Sequence, residues 1–193
     1  MDTSAIITIV SRHIALNDAE ALYFKSLLLP LRIRQGQLVE TTGETTKYFI
    51  HVNAGCLMTY FTDRQDTDHV IQFATAGWWT GDLQSFTKQI PSIYSTRALT
   101  DSEIFLLPHA ELNELLDKYP KFERYFRILY QNSLITHQDR LIQNLSATAE
   151  ERYTKFLEKY PGMEQYVPLK YIASYLGFTP EFLSKIRRKM MER

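Results

Sequence analysis

Residues 167–190, VPLKYIASYLGFTPEFLSKIRRKM, carry the densest local signal in the chain. Leu169, Ile172, Ala173 and Leu176 recur at helical spacing and give a first short helix one apolar face. Gly177 follows, a residue free to take the left-handed backbone that a tight turn needs. Thr179 then stands as an N-cap, with Pro180 at the first helical position, where no intrahelical N–H is required. In the second helix Phe182, Leu183 and Ile186 face inward, leaving Pro180, Glu181, Ser184, Lys185, Arg188 and Lys189 outward. Two short helices about a glycine turn are the layout of a helix-turn-helix, whose second helix enters the DNA major groove N-terminus first.

The outward side chains divide by chemistry. Lys185 suits the O6 and N7 acceptors of guanine, and Glu181 can accept from a cytosine amino group. Lys170, Thr179, Ser184, Arg187, Arg188 and Lys189 can reach phosphate oxygens. Arg187 is the weakest of these, because plain solvation of a helix end explains it equally well. The charge distribution agrees with the assignment. The chain is neutral, with 22 basic and 22 acidic residues, yet from Gln165 onward six cations stand against two carboxylates. A basic tail on an acidic body is an electrostatic footprint for nucleic acid.

Upstream, the uninterrupted stretch FERYFRILYQNSLITHQDRLIQNL (122–145) contains neither Gly nor Pro and reads as one long helix. Phe122, Phe126, Leu129, Ser133 and Thr136 lie along one stripe; Tyr130, Leu134, Leu141 and Leu145 form a second. A helix of about 25 residues has more apolar surface than one small neighbour covers, which points the second stripe to another subunit. Packing of both stripes within one chain is the competing reading. The segment SATAEERYTKFLEKYPG gives a further helix capped by Ser146 or Thr148 and stopped at Pro161-Gly162.

Between about Leu31 and Leu107 the texture is different. KYFIHVN, CLMTYFT, HVIQFAT and EIFLLP are rich in β-branched and aromatic residues and are punctuated by Gly36, Gly43, Gly55, Gly77 and Gly81. Many short strands at this pace predict an antiparallel sandwich or barrel. Before them, Leu16, Ala19, Leu22, Tyr23 and Leu27 mark a helix behind the cap Asn17, and after them Pro108 suits the first turn of a helix through HAELNELLDKY.

With both halves in view, the chain resembles the Crp/Fnr family of transcription regulators over nearly its full length. IRQGQLVETTGETTKYFIHVNAGCLMTYF (33–61) is similar to that family's glycine turn at Gly36, Gly-Glu turn at Gly43-Glu44 and strand ending in Gly55. GWWTGDLQSF (77–86) matches the step where the barrel's internal helix begins. The resemblance implies an α+β fold: an antiparallel, cyclic-nucleotide-binding-like jelly-roll barrel, a long dimerisation helix and a C-terminal helix-turn-helix. It divides the chain into a sensor domain at 1–117, a dimerisation helix at 118–145 and a DNA-binding domain at 146–193. Phe122, Phe126, Leu129, Ser133, Leu134 and Leu141 are the expected dimer-helix residues. The resemblance also implies double-stranded DNA and a second copy of the chain as partners, RNA polymerase as a candidate, and a small-molecule effector of open identity.

In relatives that bind cyclic AMP, a Glu after the glycine holds the ribose and an Arg-Ser pair about ten residues on holds the phosphate. Here Asp82 follows Gly81, but Ser92 and Ile93 stand where Arg-Ser is expected. Without the guanidinium a buried cyclic phosphate loses its bidentate partner, so cyclic AMP is not the expected effector. Trp79, Gly81, Asp82, Leu83, Ser92, Ile93 and Arg97 are the expected pocket residues, with Arg97 matching a strand position farther along. Gly162 to Val167 leaves almost no room for a hairpin before the helix-turn-helix, and the chain stops at Arg193 just beyond its second helix. The β-wing of larger relatives is therefore expected to be reduced or absent, as in a compact subgroup.

The rivals are a cupin-like metal enzyme and a ligand- or protein-binding module without DNA binding. The five histidines, at 13, 51, 69, 109 and 137, are scattered singly, and neither a phosphate loop nor a catalytic triad order is present. No enzyme activity, metal or cofactor is expected. Cys56 is the only cysteine, which excludes an intramolecular disulfide and a multi-cysteine metal site and suits a small buried hydrophobe. No apolar run approaches a membrane span and the N-terminus lacks a signal-peptide pattern, so the cytoplasm is the expected location.

Overall fold

A computed structural model of the protein describes residues 1–192; Arg193, counted above in the basic tail, lies outside the described residues. Helices α1 (Ser4–Ser11) and α2 (Asp18–Leu27) lead into β1 (Leu29–Ile33), β2 (Leu38–Glu40), β3 (Tyr48–Ala54), β4 (Cys56–Thr62), β5 (Asp68–Thr75) and β6 (Trp79–Thr80). A short α3 (Leu83–Lys88) precedes β7 (Ser95–Ala98) and β8 (Ser102–Pro108). The strands pair antiparallel in two sheets of order β1-β8-β3-β6 and β2-β7-β4-β5, the jelly-roll arrangement expected from the strand texture. Then come α4 (His109–Lys118), α5 (Lys121–Ser146), α6 (Ala149–Lys159), a 3₁₀ turn at Met163–Gln165, α7 (Leu169–Leu176) and α8 (Pro180–Met191). That single turn stands where a wing hairpin would precede the helix-turn-helix.

Period-two alternation sorts the strand residues into three cores. Ile33, Ile50, Val52, Leu57, Ala98 and Ile104 fill the space between the sheets. Phe49, Phe105 and Leu107 point the other way, to Ile6, Val10, Phe24, Leu112, Leu115 and Phe122 of the helices over the first sheet. Met58, Tyr60, Val70 and Phe73 point outward from the second sheet to Phe156, Tyr160, Ile172, Tyr175 and Leu183. Both outer faces of the jelly roll are thus covered, one by the N-terminal helices and the start of α5, the other by the helix-turn-helix. The segment expected as a separate domain from residue 146 therefore shares its core with β4 and β5.

Two polar links pin that contact. Ser174 Oγ on α7 donates to the Asp68 carbonyl at 2.8 Å and accepts the Val70 N–H at 2.9 Å. Arg140 on α5 donates to the Ile71 carbonyl at 2.5 Å and stands 4.6 Å from the Tyr175 ring. The β3–β4 corner depends on glycine: Gly55 has φ +94°, and a Cβ there would lie 2.2 Å from Ser102 Oγ and 2.8 Å from the Asp101 carbonyl. Cys56 beside it is buried, and that burial pushes its thiol up to about 12, so it behaves as the inert hydrophobe expected.

Several local expectations need correction. Asn17 does cap α2, in a reciprocal box with Glu20, but Leu22 is 69% exposed and Phe24 takes the core position. Glu20, Phe24 and Leu28 form the inner line, four residues apart, and Leu22 falls opposite. Pro108 ends β8 in extended conformation and α4 starts at His109. Thr148, not Ser146, caps α6; Ser146 stays in α5 with its hydroxyl donated to the Ile142 carbonyl. Phe182 is 46% exposed instead of inward, its ring edge-on to Phe178 at 5.3 Å.

Candidate nucleic-acid interface and barrel pocket

The geometry of the helix-turn-helix follows from its capping residues. Gly177 ends α7 with φ +70°, a left-handed cap that side chains disfavour. Thr179 Oγ1 accepts the Phe182 N–H at 3.2 Å, and Pro180 opens α8. Leu183 and Ile186 are buried, so α8 is seated by one face; Pro180, Glu181, Ser184, Lys185, Arg188 and Lys189 are all exposed. At about 100° per residue, Glu181, Ser184, Lys185 and Arg188 cluster on the side opposite the seat.

Not every outward side chain is equally free. Thr179 is committed to its cap, and Ser184 Oγ donates to the Pro180 carbonyl at 2.9 Å. Lys189 pairs with Glu150 of α6. Arg187, the weakest of the expected phosphate contacts, lies 3.8 Å from Glu164, whose other oxygen accepts from Tyr153 Oη at 2.7 Å. Lys170 is exposed, its ammonium 4.9 Å from the Tyr171 ring.

The expected barrel pocket is brought together only in part. Gly81, Asp82 and Ser92 do meet: Asp82 Oδ1 accepts the N–H groups of Gln84 and Ser85 at 2.9 and 3.0 Å, and Oδ2 accepts from Ser92 Oγ at 2.8 Å. The other four point elsewhere. Trp79 faces the helices and donates Nε1–H to Tyr125 Oη at 2.9 Å. Leu83 and Ile93 are 43% and 61% exposed. Arg97 reaches outward to Tyr60 Oη at 2.7 Å, because its β7 neighbour Thr96 takes the inward position.

What fills the place beside Gly81 is a residue the sequence reading missed. The Glu40 carboxylate accepts from Thr96 Oγ1 at 2.7 Å, and its Oε1 would lie 3.2 Å from a Cβ at Gly81. Thr59 continues the chain of hydroxyls to Thr96 at 3.0 Å and Thr80 at 2.8 Å. Burial, with the Asp82 charge adding to it, raises the Glu40 pKa against the pull of the Thr96 hydroxyl. No ion pair reaches Glu40 or Asp82 among the described residues. The signal in the sequence was polar residues at inward strand positions, Glu40 on β2, Thr59 on β4 and Thr96 on β7.

The dimer-helix residues also divide. Phe122 and Phe126 are 0% and 3% exposed in the core over the first sheet, so they are spent inside the chain and corrected from seam to core. Leu129 packs against the same core. Ser133, Leu134 and Leu141 are exposed, and with them Ile135, Ile142 and Leu145.

Comparison with known proteins fits this geometry. Residues 30–119 match the family described as the cyclic nucleotide-binding domain. No curated protein sequence matches the chain significantly. Among solved structures, FixK2 from Bradyrhizobium japonicum is 16% identical with a TM-score of 0.74, covering 86% of this chain and 85% of its own. CLP of Xanthomonas campestris, a global regulator responsive to c-di-GMP, is 16% identical with a TM-score of 0.69 over 91% of this chain and 92% of its own. A regulator of the Crp/Fnr family from Eubacterium rectale is 17% identical with a TM-score of 0.69 over 91% and 84%. The chain therefore has the fold of the Crp/Fnr-type regulators, built around a cyclic nucleotide-binding-type domain at residues 30–119.

Proposed function

We propose that the protein is a homodimeric transcription regulator that reads double-stranded DNA with α8. The outer face of α8 carries this reading: Glu181, Ser184, Lys185 and Arg188 are exposed together on a helix whose other side is locked by Leu183 and Ile186. Lys185 is the base contact, Glu181 a second one, and Lys170, Arg188 and Lys189 contact phosphates. The second copy covers the exposed apolar side of α5, and RNA polymerase is the further partner this role implies. Activity as an enzyme has no place in the reading, and its setting is the cytoplasm.

The barrel acts as the sensor, and its polar interior argues against cyclic AMP. A cyclic phosphate would meet the buried carboxyls of Glu40 and Asp82 with no facing guanidinium, since Arg97 points outward. A change in the barrel or α5 shifts the packing of the dimer and resets the two recognition helices. Calorimetric titration with cyclic AMP should give no saturable heat; tight stoichiometric binding would overturn this part.

DNA binding is tested by selection from a randomised duplex pool. The dimer should enrich a near-palindrome with half-sites about 34 Å apart. Lys185→Ala should relax preference at one position per half-site and cost about 1–3 kcal/mol, whereas Arg188→Ala should weaken all sequences alike and flatten the salt dependence. No salt-sensitive affinity for any duplex in the pool would sink the proposal.

A further inference from the structure

Away from both the barrel and α8, Arg140 of α5 faces Arg152, Lys155 and Lys159 of α6 across a cleft of about 160 Å³, also lined by Phe156 and Tyr175. Asp139 is the single carboxylate on its wall among the described residues. None of the four cations makes an ion pair among the described residues. Neutral partners hold Arg140, Arg152 and Lys159 instead. Arg152 donates to Asn144 Oδ1 at 2.9 Å and stands 4.2 Å from the Phe178 ring, and Lys159 lies 5.3 Å from the Trp78 ring. The Arg152 Nε is buried with no hydrogen-bond partner among the described residues. Partial burial, then the charges of Arg140 and Lys159, lower the pKa of His137 next to them.

Four cations gathered around one carboxylate in a concave site focus the field on whatever anion can enter. The arginines offer paired N–H groups suited to phosphate oxygens, and the lysines add point charges. We propose that this cleft binds a small anion bearing a chain of phosphates, joining α5 to α6 and so fixing the angle at which the helix-turn-helix leaves the long helix. The volume is below the roughly 300–1,000 Å³ of sites that enclose a drug-sized ligand, which favours a phosphate chain over a fully engulfed nucleotide.

The site is independent of the other surfaces. At about 100° per residue, Thr136, Arg140 and Gln143 lie on the side of α5 opposite Leu134, Leu141 and Leu145, so a second copy on the apolar side leaves the cleft open. No residue of α8 lines it. The inference goes beyond the regulator reading and stands if DNA binding fails.

Calorimetry of the full chain with sodium tripolyphosphate at about 0.15 M salt, where remote surface charge is largely screened, tests it. Saturable binding at one site per chain is expected, with a rise in thermal midpoint. Lys155→Gln/Lys159→Gln should weaken it about tenfold or more, as loss of two charged contacts implies, while Lys185→Ala/Arg188→Ala leaves it unchanged. Should the double variant fail to fold, Lys155→Gln alone, at an exposed position, should still weaken binding several-fold. Absence of saturable binding, or binding lost in the α8 variant and kept in the cleft variant, would overturn the proposal. So would a cleft variant that loses affinity for all duplexes while the wild type ignores tripolyphosphate, since the cleft would then belong to the DNA backbone.

Discussion

The two halves of α5 carry similar apolar residues and use them in opposite ways. In the first, Phe122, Tyr125 and Phe126 are buried, and Tyr125 accepts a hydrogen bond from Trp79 at 2.9 Å. In the second, Leu134, Leu141, Ile142 and Leu145 are 59%, 59%, 60% and 79% exposed. The inner line of the helix continues past the barrel, but at Thr136, Arg140 and Gln143 it becomes polar and faces α6 and α7. The apolar residues move to the far side. A long helix can therefore hold a core segment and an open segment end to end, and the point where the stripe changes side marks the border between them.

The comparison breaks most visibly if the first half is not core. Phe122→Ala should cost about 3–5 kcal/mol of unfolding free energy, the usual penalty for emptying a buried ring site. Urea denaturation measures it, and a loss below about 1 kcal/mol would place Phe122 outside the core.

Acid tests the sheet beneath that first half, at His51 of β3. His51 is fully buried under Trp79 and Phe105, both ring nitrogens lack hydrogen-bond partners among the described residues, and burial lowers its pKa from 6.5 to about 4. The unfolded chain takes up the proton first, so stability is full above about pH 6.5 and falls as the pH drops toward 4. Between pH 7 and pH 5 this one group should remove about 2 kcal/mol. His51→Leu should abolish that share of the slope; identical pH profiles for variant and wild type would refute it.

The smallest effect on the protomer, and the most telling, belongs to the second half. Leu141→Asp should change unfolding free energy by no more than about 0.5 kcal/mol, as for other exposed positions. In the proposed dimer the same change puts a carboxylate into an apolar seam, so sedimentation should show a shift to monomer. Unchanged dimer mass for both Leu134→Asp and Leu141→Asp would move the interface elsewhere.

The sequence was most informative where local chemistry decides the outcome. Gly177, Thr179 and Pro180 set the turn and start of α8 by capping alone, and Gly55 sits where no other residue fits the β3–β4 corner. The jelly roll was legible for the same reason, through strand texture and glycine turns. Phe182 and Leu22 were misread because one helical turn contains more apolar residues than its neighbour can cover, and only packing chooses among them. Glu40 shows in the sequence only as a polar residue in a strand, because its role depends on β2 lying beside β7 and close to Gly81, a relation across distant parts of the chain. Likewise the cationic cleft joins residues of three helices, none of which shows an unusual charge pattern by itself.

The Ser174 hydroxyl has a consequence beyond holding α7 in place. β5 is the outermost strand of its sheet, and Ser174 occupies the Asp68 carbonyl and Val70 N–H that a further strand would otherwise use. An unprotected strand border is a template on which another copy can add by β-pairing. Any motion that lifts the helix-turn-helix off the barrel uncovers that template together with the apolar faces of Val70 and Phe73. Resistance to aggregation and the positioning of α7 and α8 are thus tied to one side chain, and a protein held long in the lifted state would be the one to precipitate.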